Sequence, residues 1–125
     1  MDNLSLGRLG EKIASEYLSR EGYKILEMNF QKRWGEIDIV ALDPSAGSGQ
    51  VTLVFVEVKT RMKGDFISPE ESISSHKISS LKKSAYFYKA KHPELPEALR
   101  IDFVGIEMNN NLKPERINLI KNITG

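Results

Sequence analysis

The chain has no cysteine among its 125 residues, which excludes disulfides, thiolate zinc sites and cysteine nucleophiles. It also has no apolar run that approaches the roughly 20 residues needed to span a bilayer. Its first residues lack the basic and apolar segments of a signal peptide. We therefore expect a cytoplasmic protein that does not enter a membrane.

An excess of charge of one sign is also missing. Eighteen basic residues face seventeen acidic ones, and the net charge is +1. The chain as a whole therefore creates no field that attracts nucleic acid, and any such binding must depend on a local basic patch. A length of 125 residues with 40% hydrophobic residues predicts one globular domain over residues 1–125 with a single core.

The chain does contain charged residues inside segments that otherwise resemble buried strands. The first is the sequence GEIDIV at 35–40. Side chains alternate between the two faces of a strand. We therefore expect Glu36 and Asp38 on one face, and Ile37 and Ile39 on the other.

The second charged strand is FVEVKTR at 55–61. Alternation places Glu57, Lys59 and Arg61 on one face. The opposite face then holds Val54, Val56 and Val58. Buried charges are costly unless they are paired or bind a cation. Three carboxylates and a lysine brought together by these strands suit a hard divalent metal and a phosphate. The alternative is a structural network of ion pairs on a half-solvated sheet face.

Periodicity and turn residues predict the order helix, three strands, helix, two strands. The helices are expected at 5–21 and 75–91, and the strands at 23–29, 35–42, 53–60, 99–107 and 116–121. A basic turn at 31–35 and loops at 43–50 and 62–70 separate them. The second and third strands should pair antiparallel as a hairpin. The predicted core contains Ile13, Ile37, Ile39, Val56, Val58, Leu81, Ala85 and Phe103.

Several motifs together resemble the YraN-type protein family of bacteria. They are Gly10-Glu11, the GEID sequence at 35–38, the FVEVKTR sequence at 55–61, Lys77, and Arg100-Ile101-Asp102. The similarity runs from about residue 6 to about residue 120. That family is similar in fold to archaeal Holliday-junction resolvases and to other PD-(D/E)XK nucleases. The resemblance implies an α/β fold with a restriction-endonuclease-like mixed β-sheet flanked by helices, as in Holliday-junction resolvases and tRNA endonucleases.

The resemblance also implies a metal-dependent endonuclease, with branched DNA as one expected substrate. Asp38 and Glu57 would hold Mg²⁺ or Mn²⁺ together with the backbone carbonyl of Val58. Lys59 would orient the attacking water or stabilise charge on the phosphate. Glu11 would be an additional acid, against the alternative of a surface acid paired with Arg8 or Lys12.

Other positions bear on the same hypothesis. Glu36 would support the ligands or pair with a lysine. Lys77 is expected on a solvated helix face, with a position in the site as its alternative. The basic residues that would contact nucleic acid are Lys32, Arg33, Arg61, Lys77, Lys82 and Lys83. DNA is the expected partner, and a homodimer is left open.

Interpretations without catalysis are kept as alternatives to the nuclease hypothesis. A catalytically silent module that binds nucleic acid or other proteins could keep the same fold. Trp34 and Phe66 are expected to lie in the core or to anchor loops, with stacking on bases as the alternative. Asp102 is expected to form a structural salt bridge with Arg100.

Overall fold

The computed structural model of the chain describes residues 1–45 and 49–125. Helix α1 spans Asn3–Arg20, and it is followed by strands β1 (Lys24–Lys32), β2 (Gly35–Asp43) and β3 (Thr52–Met62). A short 3-10 helix at Pro69–Ser72 leads into helix α2 (Ser75–Lys91), and strands β4 (Leu99–Met108) and β5 (Pro114–Ile120) complete the chain.

The five strands form one mixed sheet in the order β1-β2-β3-β4-β5. β2 and β3 pair antiparallel, as the hairpin prediction required. β3 and β4 pair parallel, because helix α2 carries the chain back across one face of the sheet between them.

The two helices cover opposite faces of the sheet. Ala14 and Leu18 of α1 pack on a cluster that includes Val54, Val56 and Val104. Leu81, Ala85 and Tyr88 of α2 pack on a second cluster, which includes Phe55 and Ile101. The fold is the predicted restriction-endonuclease-like mixed β-sheet flanked by helices. No helix in residues 1–45 and 49–125 is long and apolar enough to cross a membrane.

Local signals explain where the helices begin and end. The Asp2 carboxylate accepts a hydrogen bond from the Ser5 amide at 2.8 Å and so caps α1, and Gly22 follows the helix with a φ of 95°, a conformation that glycine adopts at little cost. The Ser74 hydroxyl caps α2 by accepting from the Lys77 amide at 3.1 Å.

Some element boundaries differ from the sequence prediction. The expected basic turn at 31–35 is shorter, since Gln31 and Lys32 continue β1 and pair with Glu36 and Gly35. The predicted loop at 62–70 contains the start of the 3-10 helix, where Ser68 and Glu71 form a capping box around Pro69. The predicted loop at 43–50 includes residues 46–48, which lie outside the described residues.

Two predictions about the core were wrong in detail. Ile13 is half-buried at the edge of the core. Ile37 and Ile39 do not share a face, because Ile37 belongs to the cluster under α2 and Ile39 to the cluster under α1. The cause lies in the hairpin: the β2–β3 pairing ends at Ile39 and Val56, so the strand is free to twist at Asp38. The other predicted core residues are buried.

Candidate active site

A cavity of about 330 Å³ lies where α1, the unpaired end of the β2–β3 hairpin and the start of α2 meet. Its lining includes all five predicted catalytic residues, namely Glu11, Glu36, Asp38, Glu57 and Lys59. Arg61 and Lys77, which were predicted to contact nucleic acid, line it as well. The fold therefore brings together side chains that are as far as 66 positions apart in the sequence, from position 11 to position 77.

Asp38 and Glu57 form the centre of this cavity. Asp38 is 5% exposed and Glu57 is 9% exposed. Asp38 Oδ2 accepts a hydrogen bond from the Val58 amide at 2.8 Å, which replaces the ladder bond lost where β2 and β3 separate. Each carboxyl group is within hydrogen-bonding reach of the other. The separation of the strands thus creates the room in which the two acids meet.

Burial raises the pKa of both carboxyl groups, because the charged form loses solvation. The neighbouring Asp38 charge raises the pKa of Glu57 further, to about 8, although the Lys77 ammonium opposes this shift. The pKa of Asp38 is also raised by burial, while hydrogen bonds to Glu57 and to the Val58 amide oppose the rise. At neutral pH the Asp38–Glu57 pair therefore retains a proton. A nearby cation stabilises the fully charged form of the pair.

Lys77 is that nearby cation within the protein. Its Nζ lies 3.2 Å from Glu57 Oε2. Burial is the largest single influence and would lower the pKa of Lys77. The Glu57 charge and hydrogen bond, together with the Asp38 and Glu36 charges, outweigh it, and the pKa is raised. The expectation of a solvated helix face was wrong, because the crossover from β3 to β4 sets the first turn of α2 directly over the cavity.

Lys59 and Val58 occupy the same stretch of β3 but present different groups. The Val58 side chain is buried in the cluster under α1, so its backbone is what lines the cavity. The N–H and C=O of one residue point to the same side of a strand, and the Val58 carbonyl therefore faces the gap that Asp38 enters. Lys59 is half-buried and forms no salt bridge with any described residue.

Glu11 reaches the cavity because α1 approaches β3 unusually closely. A Cβ on Gly10 would lie 1.8 Å from Thr60 Oγ1, so only glycine permits this contact. Burial and the Asp38 charge raise the pKa of Glu11. Glu36 is exposed at the cavity rim and accepts a hydrogen bond from Gln31 Nε2 at 3.1 Å. The surface position considered for Glu11 does not hold.

The expected cluster of three carboxylates is only partly formed. Within residues 1–45 and 49–125, no three His, Asp or Glu side chains converge at metal-binding spacing. Asp38 and Glu57 are together, whereas Glu11 and Glu36 line the walls. Alternation along a strand cannot predict this difference, since the separations depend on how the helix and the hairpin pack.

The predicted basic residues lie in four places. Arg61 and Lys77 line the cavity, and Lys32 and Arg33 line an adjoining groove that also contains Lys77. Lys83 lines a further groove beside Trp34. Lys82 is separate from them, in a groove that contains Tyr86 and Thr124. These positions do not form one continuous patch around all six residues.

Of the two aromatic residues predicted to lie in the core or to anchor loops, Phe66 differs from the prediction, whereas Trp34 anchors its turn. Phe66 is fully exposed, in a loop whose neighbour Asp65 lines the cavity. It is therefore neither a core residue nor an anchor. Trp34 is 42% exposed and meets Phe87 edge to face, with ring centroids 5.0 Å apart.

A separate polar cluster lies beyond the cavity on the α1 face of the sheet. Arg100 bonds Asp102 through Nε at 2.8 Å, which confirms the predicted salt bridge. Arg100 also bonds Asp43 at 2.6 Å, and the Tyr23 hydroxyl donates to Asp102 at 2.9 Å. Sequence reasoning missed Asp43 and Tyr23, because Asp43 precedes a proline and reads as a loop residue. The cluster ties the residue before β1 to β2 and β4 and is structural.

Comparison with known proteins identifies relatives of similar length. Residues 10–106 match the model of "Uncharacterised protein family UPF0102". A UPF0102 protein of Syntrophomonas wolfei is 43% identical over 83% of this chain and 85% of its own length. One from Geobacter metallireducens is 42% identical over 90% of this chain and 87% of its own. The chain therefore belongs to UPF0102, the YraN-type family that its motifs predicted.

Proposed function

We propose that this protein is a divalent-metal-dependent endonuclease that hydrolyses phosphodiester bonds of nucleic acid. The observation that carries the proposal is the meeting of Asp38 and Glu57 in one cavity, beside Lys59 and Lys77. Two acids buried against each other raise each other's pKa unless a cation offsets their charge. Two buried acids destabilise the fold, and this loss of stability is best explained if the acids serve a function.

The donor set fits Mg²⁺ or Mn²⁺. Mg²⁺ is commonly bound by one or two carboxylates, with waters and a substrate phosphate completing the shell. Asp38 and Glu57 supply the two carboxylates, and the Val58 carbonyl faces the same gap. When bound, such an ion lowers the pKa of a water and relieves charge on a phosphate. A complete protein cage is not required, which agrees with two rather than three converging acids.

The remaining cavity residues have roles that follow from their charge. Lys59 is free of protein partners among the described residues, and its ammonium is available to hold the scissile phosphate or the attacking water. Glu11, behind it on α1, and Glu36, at the rim, are placed to hold waters rather than to bind the ion directly. Arg61 extends the basic wall along which a phosphate backbone would enter.

The finer features of the proposal are the substrate and its form. The family's similarity in fold to Holliday-junction resolvases supports DNA, and branched DNA in particular. Members of one fold differ in activity, so the substrate must be decided by experiment.

The test is a cleavage assay over branched, single-stranded and duplex DNA and RNA with Mg²⁺ or Mn²⁺. We expect metal-dependent cleavage that Asp38→Asn abolishes. Lys59→Ala should keep metal binding but slow single-turnover cleavage by about a hundredfold, as expected for one preorganised electrostatic contact. Lys12→Ala, an exposed lysine of α1, is the matched control and should cleave at the wild-type rate. Cleavage by Lys59→Ala at the wild-type rate, or no cleavage of any substrate, would favour the catalytically silent module instead.

A further inference from the structure

Trp34 is the only tryptophan of the chain, and it lies in the two-residue turn between β1 and β2. The turn packs against α2 because the next residue is Gly35, where a Cβ would lie 2.9 Å from Ser84 Oγ. Phe87, which is also on α2, contacts the indole edge to face, with ring centroids 5.0 Å apart and an interplanar angle of 74°. The ring is thus fixed in position while 42% of the residue remains exposed.

Basic side chains lie near this aromatic group. Trp34 lines a groove of about 270 Å³ with His76 and Lys83. The Lys32 ammonium lies 5.5 Å from the centre of the Phe87 ring that supports the indole. No acidic residue among the described ones lines the groove. An exposed aromatic ring with lysines nearby can recognise a base attached to a phosphate, by stacking and charge together.

The groove lies beside an intermediate one that adjoins the acidic cavity, because Trp34 follows Arg33 and His76 precedes Lys77 in the sequence. Lys32, Arg33, Glu36 and Lys77 line this intermediate groove, and Glu36 and Lys77 also line the cavity that holds Asp38 and Glu57. A chain of phosphates could therefore pass from the cavity along Lys77 and Arg33 to the indole of Trp34.

We propose that Trp34 is a stacking platform for an unpaired base, and hence that the substrate contains unpaired nucleotides next to the bond in the cavity. The faces of bases within a continuous duplex are occupied by their neighbours, whereas unpaired bases are free to stack on an aromatic side chain. The route into the cavity rests on the proposed function, but the binding of the base to Trp34 does not require cleavage.

Because Trp34 is the sole tryptophan, its intrinsic fluorescence reports directly on this site. The experiment titrates the protein, in EDTA and at about 50 mM salt, with an oligothymidylate of about 15 nucleotides and with a blunt duplex of the same length. We expect the single strand to quench the fluorescence and the duplex to leave it nearly unchanged. By anisotropy of a labelled oligothymidylate, Trp34→Ala should bind at least about fivefold more weakly, and Trp34→Phe should retain much of the affinity.

The matched control is Tyr86→Ala. Tyr86 is 66% exposed on α2 but lines a different groove, with Leu99 and Thr124, so its loss should leave the affinity unchanged. Thermal unfolding of Trp34→Ala checks that the fold is intact. Unchanged fluorescence with the single strand, equal affinity of wild type and Trp34→Ala, or equal quenching by the duplex would each overturn the proposal. Trp34-dependent binding without cleavage in Mg²⁺ would instead support it and refute the proposed nuclease.

Discussion

The close contact between Gly10 and Thr60 leads to a prediction that two variants of one helix can test. A Cβ on Gly10 would lie 1.8 Å from Thr60 Oγ1 and 3.0 Å from Thr60 Cβ, whereas a Cβ on Gly7 would meet nothing within 4 Å. Both positions are inside α1. Replacing either glycine with alanine gains about 1 kcal/mol of helix propensity, so only the packing at Gly10 should distinguish the two.

The size of the packing cost follows from the contact between Gly10 and Thr60. Oγ1 must move by about 1.5 Å or α1 must shift to reach ordinary separations, and overpacking of this kind costs about 1–3 kcal/mol. Gly10→Ala should therefore be less stable than Gly7→Ala by about 1–3 kcal/mol. For a chain of this size that corresponds to a difference of about 4–12 °C in Tm.

The assay is thermal and urea unfolding of wild type, Gly7→Ala, Gly10→Ala and the double variant Gly10→Ala with Thr60→Ala. The Thr60 hydroxyl has no hydrogen-bond partner among the described residues, so its removal leaves nothing unpaired and should restore most of the loss. Equal stabilisation by Gly7→Ala and Gly10→Ala would show that a side chain at position 10 meets no steric cost against Thr60. A failure of Thr60→Ala to rescue would show that the strain lies elsewhere.

Four further predictions concern charge. Burial and the Asp38 charge raise the pKa of Glu57 to about 8, so Mn²⁺ must displace a proton when it binds. The affinity for Mn²⁺, measured by isothermal titration, should therefore rise about tenfold per pH unit from about 6 to 8. A pH-independent affinity would contradict the release of a proton from Glu57. The same shift makes the metal-free protein less stable as pH rises between 4.5 and about 8, because the folded state holds the extra proton. Lys77→Met removes an ammonium 3.2 Å from Glu57 and should tighten Mn²⁺ binding by about three- to tenfold; weaker binding would mean that Lys77 organises the carboxylates. Asp102→Ala removes one of the two buried carboxylates that pair with Arg100 and also the acceptor of the Tyr23 hydroxyl, and it should cost about 3–5 kcal/mol by urea unfolding. Arg116→Ala, in a more exposed ion pair, should cost about 1 kcal/mol or less. Equal losses would argue against the structural role of the cluster.

Local sequence patterns were enough to predict which helices and strands form and which charged residues lie within them. Helix α2 was predicted at its observed bounds from periodicity and turn residues, and the structure has Ser74 and His92 as its two caps. The β2–β3 hairpin and its burial followed from short apolar runs around a glycine-rich loop. The pairing of Arg100 with Asp102 followed from alternation along one strand. These features depend on neighbours in sequence, and local patterns record them.

Which of the charged residues meet depends on how the helices and strands pack. Lys77 reaches Glu57 because the crossover sets α2 over the end of the hairpin, and Glu11 enters the cavity because Gly10 lets α1 approach β3. Asp38 turns toward Val58 where β2 and β3 separate, which also moves Ile37 to the opposite cluster from Ile39. Alternation predicts the face of a side chain on a regular strand, but it cannot predict where two strands part. The candidate site lies at that point, since the parting of the strands leaves the space in which two carboxylates, two lysines and the backbone of Val58 come together.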